Sequence, residues 1–265
     1  MTDIDVLLAA YDEQMRGISH SERAGLVIEE DGPLLRATGQ HRGFITGPRD
    51  LAVTGAELDA LIARQRDFFA ARGEAVEWKT RGHDLPADLT ERLRAAGFVP
   101  EDQETVVVGR AADMAIDPVL PGGVSLDRVT EEAGFQAIAA METEVWGHDH
   151  GFIADDLTQR NAAAPDDIAV FAVRARATGQ VVSAAWIAFY PGTDFAGLWG
   201  GSTLAAWRKQ GIYRALIAAR ARLAVARGVR YLQVDASDDS APILRRLGFV
   251  AITTTTPYVW TPAAD

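Results

Sequence analysis

The sequence predicts an α/β protein that is built from two modules in tandem. Two observations lead to this prediction. A strand, a tight turn and a long helix follow one another between Ala196 and Arg230, and the order of elements around that helix occurs twice along the chain. A strand that leads into a helix is the basic unit of α/β proteins, and a repeated order of elements indicates a duplicated module.

The strand and the helix of this stretch follow from residue type and spacing. Leu198, Trp199 and Thr203 favour an extended chain. Gly228 comes after the helix, where a left-handed C-cap is expected. Apolar residues with helical spacing fill the interval: Ile212, Leu216, Ala219, Leu223 and Ala226.

The turn between this strand and helix, residues 208–213, is typical of an anion site. Gly211 lets a ligand approach the backbone closely, and the first N–H groups of a helix attract phosphate. No Asp or Glu occurs between Arg208 and Arg230, although the whole chain has a net charge of −11. The turn therefore predicts a phosphate site, with a solvated basic helix face as the alternative.

The pattern Arg208-x-x-Gly211-x-Tyr213 resembles the acyl-CoA-binding turn of the GNAT superfamily of N-acyltransferases, Q/R-x-x-G-x-G/A. Tyr213 departs from the small last residue of that motif. A predicted strand (229–235), a short helix (240–247) that ends in Leu-Gly-Phe, and a last strand (253–260) follow in the family's order. The resemblance covers 124–260 and implies a mixed, mostly antiparallel sheet flanked by helices.

The same resemblance implies which residues meet the acyl donor, acetyl-CoA. In the family, backbone groups at the end of the strand bind the acyl carbonyl and the pantetheine, and the turn binds the pyrophosphate. The implied coenzyme-binding residues are Gly201, Ser202, Thr203, Arg208, Lys209, Gln210, Gly211, Ile212, Tyr213 and Arg214.

Direct transfer of an acyl group to an amine also needs proton movements. In many GNAT enzymes a tyrosine of the last helix protonates the leaving thiolate, and the matching position here is Leu244. Either the thiolate leaves unaided, or another residue such as Tyr213 or Tyr258 supplies the proton.

For the base, Glu144 and His148 are predicted from a polar cluster that borders the acceptor site in the family. The cluster also contains Glu142, Asp149 and His150, and a solvated loop is the alternative interpretation. No metal is predicted, because a lone His-x-His without further ligands is a weak signal.

The first half of the chain repeats the order of the second half. A helix after Thr54 and Glu57, which have capping-box spacing, precedes a strand (76–79), a helix (89–96) and a strand (104–108). Gly97-Phe98 matches Gly248-Phe249. We therefore predict a degenerate module at 1–113, a linker at 114–123 and a catalytic module at 124–265. Because the first copy lacks the Arg-x-x-Gly turn, it is expected to serve structure or the acceptor site.

Other elements are predicted from composition and spacing. A helix over 4–15 and strands with loops over 25–50 open the chain. The second module starts with a strand at 124–126 and a helix at 131–145. Strands at 168–173 and 181–189 then form a hairpin through a turn at 177–180.

Composition limits the class of protein. The 265 residues are 48% hydrophobic and include no cysteine, which excludes disulfides, thiolate metal sites and a cysteine nucleophile. The negative net charge argues against non-specific nucleic-acid binding. No apolar run reaches the ~20 residues of a membrane span, and the acidic N-terminus does not resemble a signal peptide. We expect a cytoplasmic monomer or homodimer.

The sequence thus predicts an acyltransferase that moves an acetyl group from acetyl-CoA to an amine, either a small molecule or a peptide. The alternative is a non-catalytic CoA-binding or scaffold protein, which Leu244 and the degenerate first module favour. A dinucleotide-dependent oxidoreductase is not supported, because the glycines lack G-x-G-x-x-G spacing.

Overall fold

The computed structural model describes residues 3–17, 26–39 and 41–263. The first half of the chain contains four helices and six strands among these residues. They are α1 (Asp3–Gln14), β1 (Val27–Asp31), β2 (Leu34–Thr38), β3 (Gly43–Thr46), α2 (Gly55–Ala70), β4 (Val76–Arg81), α3 (Leu89–Ala95), β5 (Val99–Pro100), β6 (Glu104–Arg110) and α4 (Ala111–Met114).

The second half contains six further strands and four further helices. They are β7 (Val124–Val129), α5 (Glu132–Trp146), α6 (Phe152–Ala163), β8 (Ile168–Ala175), β9 (Val181–Phe189), β10 (Phe195–Thr203), α7 (Ile212–Ala226), β11 (Tyr231–Ala236), α8 (Ala241–Arg246) and β12 (Val250–Trp260). A single 3₁₀ turn, Ala205–Trp207, separates β10 from α7.

The strands that the structure describes form one mixed sheet in the order β1-β2-β3-β4-β12-β6-β11-β10-β9-β8-β7, with β5 beside β12. Two pairs are parallel, β3 with β4 and β10 with β11. The order is symmetric about the β12–β6 pair, because β4 and β11 take matching places on either side. This is the α/β fold predicted from the sequence, a mostly antiparallel sheet flanked by helices, with two modules in tandem.

The two halves exchange their last strands. β6 of the first half pairs with β11 of the second, and β12 of the second half pairs with β4 of the first. β6 and β12 also pair with each other. Each half therefore completes the sheet of the other, and the central strands of the sheet come from both halves alternately.

The two faces of the central sheet carry different layers. Val107 of β6 packs with Ile217 of α7 and Leu244 of α8. Its neighbours Val106 and Val108 point the other way and pack with Tyr11 of α1, as the two-residue period of a strand requires. The face toward α1 is the one on which a large cavity opens.

Three details differ from the sequence-based prediction. Helix α6 was not predicted, because its apolar residues Ile153 and Leu157 cover only one turn of an otherwise polar, alanine-rich stretch. Thr54 is the N-cap of α2, but its side chain makes no capping hydrogen bond, so the capping-box interpretation was wrong. Residues 111–114 form the short helix α4, which overlaps the start of the linker predicted at 114–123.

No helix in the described part of the chain is long and apolar enough to cross a membrane.

Candidate active site

A gap opens between the two parallel strands of the second half. β10 and β11 pair from Phe195 opposite Tyr231 as far as Gly197 opposite Gln233. Beyond Gly197, β10 continues beside β9 with a register shift between Trp199 and Ser202. A bulge of this kind bends a strand away from its neighbour, so the carboxyl ends of β10 and β11 diverge.

Two glycines make the bulge possible. Gly200 has a φ of +61° and lies against the indole of Trp186, which a Cβ at this position would overlap. A Cβ on Gly201 would lie 2.7 Å from the ring of Tyr213. The two rings therefore cover the bulge from two sides, and no larger residue fits at either glycine.

A buried arginine fixes the carbonyl groups of this region. Arg220 of α7 is 1% exposed and donates hydrogen bonds to the carbonyls of Trp186 at 3.1 Å and Trp199 at 3.3 Å. Its Nε donates to the carbonyl of Leu216 at 3.0 Å. Burial lowers the pKa of Arg220 to about 10, which still leaves the side chain charged at neutral pH. Arg220 thus connects α7 to the bulge.

The turn before α7 is exposed and suited to an anion. Lys209 and Gly211 have left-handed φ angles of +62° and +85°, and no side chain caps the helix that begins at Ile212. The nearest atom to a Cβ built on Gly211 is the carbonyl oxygen of Val119, 4.0 Å away. The turn therefore has room for a phosphate beside uncapped helix N–H groups.

The other predicted coenzyme residues lie around this turn. The Nε of Arg208 donates to the carbonyl of Thr203 at 2.9 Å, which holds the turn against the end of β10. Ser202 is buried, and its carbonyl accepts a 2.6 Å hydrogen bond from Ser183. Gly201, Lys209, Gln210 and Arg214 are exposed. The ten predicted residues thus lie at the end of β10, in the turn that follows and at the start of α7.

A cavity of about 1480 Å³ lies between the two halves on the opposite face of the sheet. Trp199, Gln233 and Asp235, which flank the gap, line it together with residues of α1, β4 and β6. Carboxylates outnumber cations among its charged lining residues, which are Arg42, Glu77, Lys79, Arg81, Glu101, Asp102, Glu104, Asp235, Asp238 and Asp239. The gap therefore joins a basic turn on one face to an acidic cavity on the other.

Ion pairs between elements organise the cavity wall. Lys79 of β4 pairs with Asp235 of β11, which also accepts a 2.6 Å hydrogen bond from Gln233. Burial opposes the charge of Lys79, but Asp235 and Glu77 outweigh it and raise the pKa of Lys79. Arg42 binds Glu77 at 2.6 Å. Each of these four charged residues of the cavity wall is thus held in place by a residue of opposite charge.

Glu104, at the start of β6, is the exception. Burial, followed by the neighbouring negative charge of Asp235, raises the pKa of Glu104 to about 7, although Lys79 acts in the opposite direction. A carboxyl group with this pKa exchanges protons at physiological pH.

A tyrosine hydroxyl lies where the parallel strands separate. The indole nitrogen of Trp199 donates to the hydroxyl of Tyr190 at 3.3 Å. A Cβ on Gly197 would overlap this hydroxyl and would lie 2.6 Å from the indole nitrogen. Burial raises the pKa of Tyr190, so the hydroxyl keeps its proton and can donate it.

Comparison with known families agrees with this geometry. Residues 134–249 match the family model described as "Acetyltransferase (GNAT) family". This part of the chain is a GNAT domain. It contains the bulge, the gap and the turn at 208–214. No curated protein sequence matches the chain.

Solved structures extend the likeness to the whole chain. A GCN5-related N-acetyltransferase from Kribbella flavida is 19% identical with a TM-score of 0.69, over 100% of this chain and 97% of its own. A tandem GNAT protein from the clavulanic acid biosynthesis pathway is 14% identical with a TM-score of 0.62, over 100% of this chain and 89% of its own. A GCN5-related N-acetyltransferase from Sphaerobacter thermophilus is 15% identical with a TM-score of 0.64, over 89% of this chain and 84% of its own. These likenesses establish the fold.

The bases predicted from the sequence lie on the surface of the GNAT domain. Glu144 and His148 are both exposed at the end of α5 and in its following loop. Their neighbour Glu142 is 2% exposed, with Oε2 accepting a 2.9 Å hydrogen bond from the indole of Trp146 and Oε1 unpaired. Burial raises the pKa of Glu142. The roles of Glu144 and His148 stay predictions.

The alternatives considered for the acid lie in different surroundings. Leu244 is fully buried in the core between α7 and α8, and Tyr258 belongs to the core of the first half. Tyr213 covers Gly201 at the bulge. None of these three lines the cavity between the halves.

Four residues of the cavity were not predicted from the sequence: Lys79, Glu104, Tyr190 and Asp235. A signal for two of them exists, because Lys79 and Asp235 are charged residues that alternate with apolar ones in strands flanked by helices. An interior strand that carries a charge on one face indicates a polar cavity on that face. Glu104 and Tyr190 stand at strand ends, where polar residues are common and give no such signal.

Proposed function

We propose that the protein transfers an acetyl group from acetyl-CoA to an amine. The observation that supports this function best is the gap between β10 and β11, which connects an uncapped basic turn to a cavity rich in carboxylates. A donor with phosphate groups and an acceptor with a positive charge would then approach the gap from opposite faces of the sheet.

On the donor side, backbone N–H groups of residues 212–214 would hold the pyrophosphate, with Arg208, Lys209 and Arg214 as nearby cations. The backbone of Gly201 and Thr203 would bind the pantetheine. Acetyl-CoA supplies an acyl group that is activated as a thioester. This assignment carries over the residues implied by the family motif, and the open turn at Gly211 supports it.

On the acceptor side, carboxylates would attract an ammonium group, and Trp146 and Trp199 would pack against its carbon skeleton. Part of this wall comes from the first half of the chain, including residues of α1, β4 and β6. In that half, residues 47–54 precede helix α2, in the place that the basic turn takes before α7, and they include a single basic residue, Arg49. The first half would therefore serve the acceptor site without binding a coenzyme of its own.

The reaction forms a C–N bond to the thioester carbonyl carbon and breaks the C–S bond, so the leaving thiolate gains a proton. Tyr190 is a suitable donor, because its protonated hydroxyl lies where the two strands separate. Replacing Tyr190 with Phe should lower kcat, while Tyr213→Phe and Tyr258→Phe keep the rings and should leave kcat within a factor of about two. An unchanged kcat in Tyr190→Phe would mean that the thiolate leaves without this acid.

Release of free thiol from acetyl-CoA, in the presence of a panel of mono- and polyamines, tests the function directly. Because the chain has no cysteine, a thiol reagent reacts with the released coenzyme and not with the protein. We expect amine-dependent release together with acetyl-CoA binding in calorimetry. Binding without release for any amine would support the alternative, a non-catalytic coenzyme-binding protein, and the absence of binding would overturn both.

A further inference from the structure

We propose that Glu104, which the first half of the chain contributes to the cavity, accepts the proton of the attacking amine. This inference rests on the proposed function and names a catalytic residue for it. It also gives the first half of the chain a chemical role in a reaction whose donor binds to the second half.

Strand exchange places Glu104 on β6, next to β11, which forms one edge of the gap. β6 lies against β11 with Val106 opposite Asp235 and Thr105 opposite Ala236. Side chains directly opposite each other in an antiparallel pair share a face, so Val106 and Asp235 point to the same side. Glu104 is two residues before Val106 and therefore shares this side, which is the side of the cavity. Its carboxylate lines the cavity just beyond the end of β11.

The surroundings of Glu104 leave its carboxylate free to take a proton. Among the residues described here, none donates a hydrogen bond to it. The charged groups that face it are Asp235 from β11, Lys79 and Glu77 from β4, and Glu101 from the segment before β6. Three of these four are negative. Partial burial and these three carboxylates raise the pKa of Glu104 to about 7 against the effect of Lys79, and this value is in the range that suits a base at neutral pH.

The other carboxylates of the cavity are less suited to this role. Asp235 is bound to Lys79, and Arg42 binds both Glu77 and Glu101. An ion pair thus already occupies each of these three carboxylates. The remaining acidic residues are exposed at the rim: Asp102, Asp238 and Asp239. Glu104 is thus the partly buried carboxylate of the cavity that has no cation of its own.

The step balances without a further reactant. The ammonium group of the acceptor gives one proton to the Glu104 carboxylate, and the nitrogen lone pair then forms the bond to the thioester carbonyl carbon. The C–S bond breaks with its electron pair on sulfur, and the thiolate takes the second proton from nitrogen directly or through Tyr190. Glu104 returns its proton to cavity water. Because Glu104 must be ionised, turnover should rise as the pH increases through about 7.

The test is the pH profile of kcat/KM for wild type and Glu104→Gln, with the amine that gives the highest thiol release in the panel. We expect Glu104→Gln to lower kcat/KM by a factor of roughly 10²–10⁴ at pH 8 and to abolish the rise near pH 7. Glu104→Asp should keep that rise with a reduced rate. Acetyl-CoA affinity in calorimetry should be unchanged in both variants.

Matched variants separate this role from a structural one. Glu91→Gln removes the same charge from an exposed site on α3 and should match wild type. Glu144→Gln and His148→Ala test the bases predicted from the sequence. If either of these removes the rise near pH 7 while Glu104→Gln keeps it, the inference is wrong. If wild type releases no thiol with any amine, the proposed function fails and the inference fails with it.

Discussion

Lys79 and Asp235 form an ion pair that connects the two halves of the protein across three strand boundaries. The two residues are 156 positions apart in the sequence, and their side chains are only 14% and 6% exposed. β12 and β6, the two exchanged strands, lie between β4 and β11 in the sheet. The pair therefore crosses the cavity face above both exchanged strands.

Breaking this pair on one side should destabilise the protein strongly. Lys79→Met leaves the charge of Asp235 buried without its cation, and losses of about 3–5 kcal/mol are typical for such sites. The double variant Lys79→Met/Asp235→Asn removes both charges and should lose much less. Urea unfolding of the wild type, Lys79→Met, Asp235→Asn and the double variant measures the coupling, and additive single losses would show that the pair does not contribute to stability.

The exchanged strands lead to a prediction about the two halves. Without residues 1–113, the strands β11 and β12 both lose their neighbour β6, and exposed edges of this kind aggregate. Residues 114–265 expressed alone should therefore be insoluble or unfolded, whereas co-expression with 1–113 should yield a soluble complex.

Size-exclusion chromatography and circular dichroism distinguish these outcomes. A soluble, cooperatively folded 114–265 fragment would show that the predicted catalytic module is an independent domain. The predicted boundaries at 113 and 124 would then describe two separate units rather than two parts of one sheet.

The proposed coenzyme side of the site could be predicted from local sequence patterns. The proposed acceptor side depends on pairing between strands that are distant in sequence, which local patterns do not show. The apolar spacing of α7 and the glycine at 211 are local signals, and the helix was predicted over the range that it occupies, Ile212–Ala226. The order of elements predicted a repeated module, but it does not determine which strand lies beside which. Strands β6 and β12 could each pair within their own half or with the other half, and the same sequence pattern fits both arrangements.

The candidate base Glu104 could not be predicted from local patterns for the same reason. Glu104 belongs to the first half, so its position next to Asp235 depends on strand exchange. Glu144 and His148 belong to a helix end and loop that border the acceptor site in the family, yet both are exposed. Proton affinity depends on burial and on neighbouring charges, and both become known only when the sheet order is known.

Gly211 should be essential for binding of acetyl-CoA. An Asp at this position puts a negative charge where a phosphate would bind and also strains a backbone with a φ of +85°. Gly179→Asp is a matched control, because Gly179 has a φ of +73°, has open space around its Cβ position and lies in the β8–β9 hairpin turn.

Both variants should lose similar stability, but only Gly211→Asp should lose acetyl-CoA affinity, by a factor of at least about ten, which corresponds to about 1.4 kcal/mol. Isothermal titration calorimetry measures the affinity and thermal unfolding measures the stability. Equal acetyl-CoA affinity for Gly211→Asp and Gly179→Asp would contradict a phosphate site at this turn.

The raised pKa of Glu104 also predicts how stability depends on pH. In the folded protein the pKa is about 7, above the ordinary value of 4.5. The folded state therefore holds this proton more tightly than the unfolded state. Between these two pH values the folded state binds more protons, so the contribution of Glu104 to stability is present below pH 4.5 and is lost as the pH rises through 7.

Glu104→Gln keeps the size of the side chain and removes this titration. The melting temperature of Glu104→Gln should equal that of wild type at pH 4 and exceed it progressively up to about pH 7, with a constant difference above that pH. Glu91→Gln, on the exposed surface of α3, corrects for the change in net charge. Thermal unfolding monitored by circular dichroism at several pH values between 4 and 9 gives the difference curve. A flat difference over this range would mean that Glu104 titrates near its ordinary pKa, and a difference that is largest at low pH would mean that its pKa is lowered in the folded state. In either case Glu104 would lack the proton affinity that the proposed base requires at neutral pH.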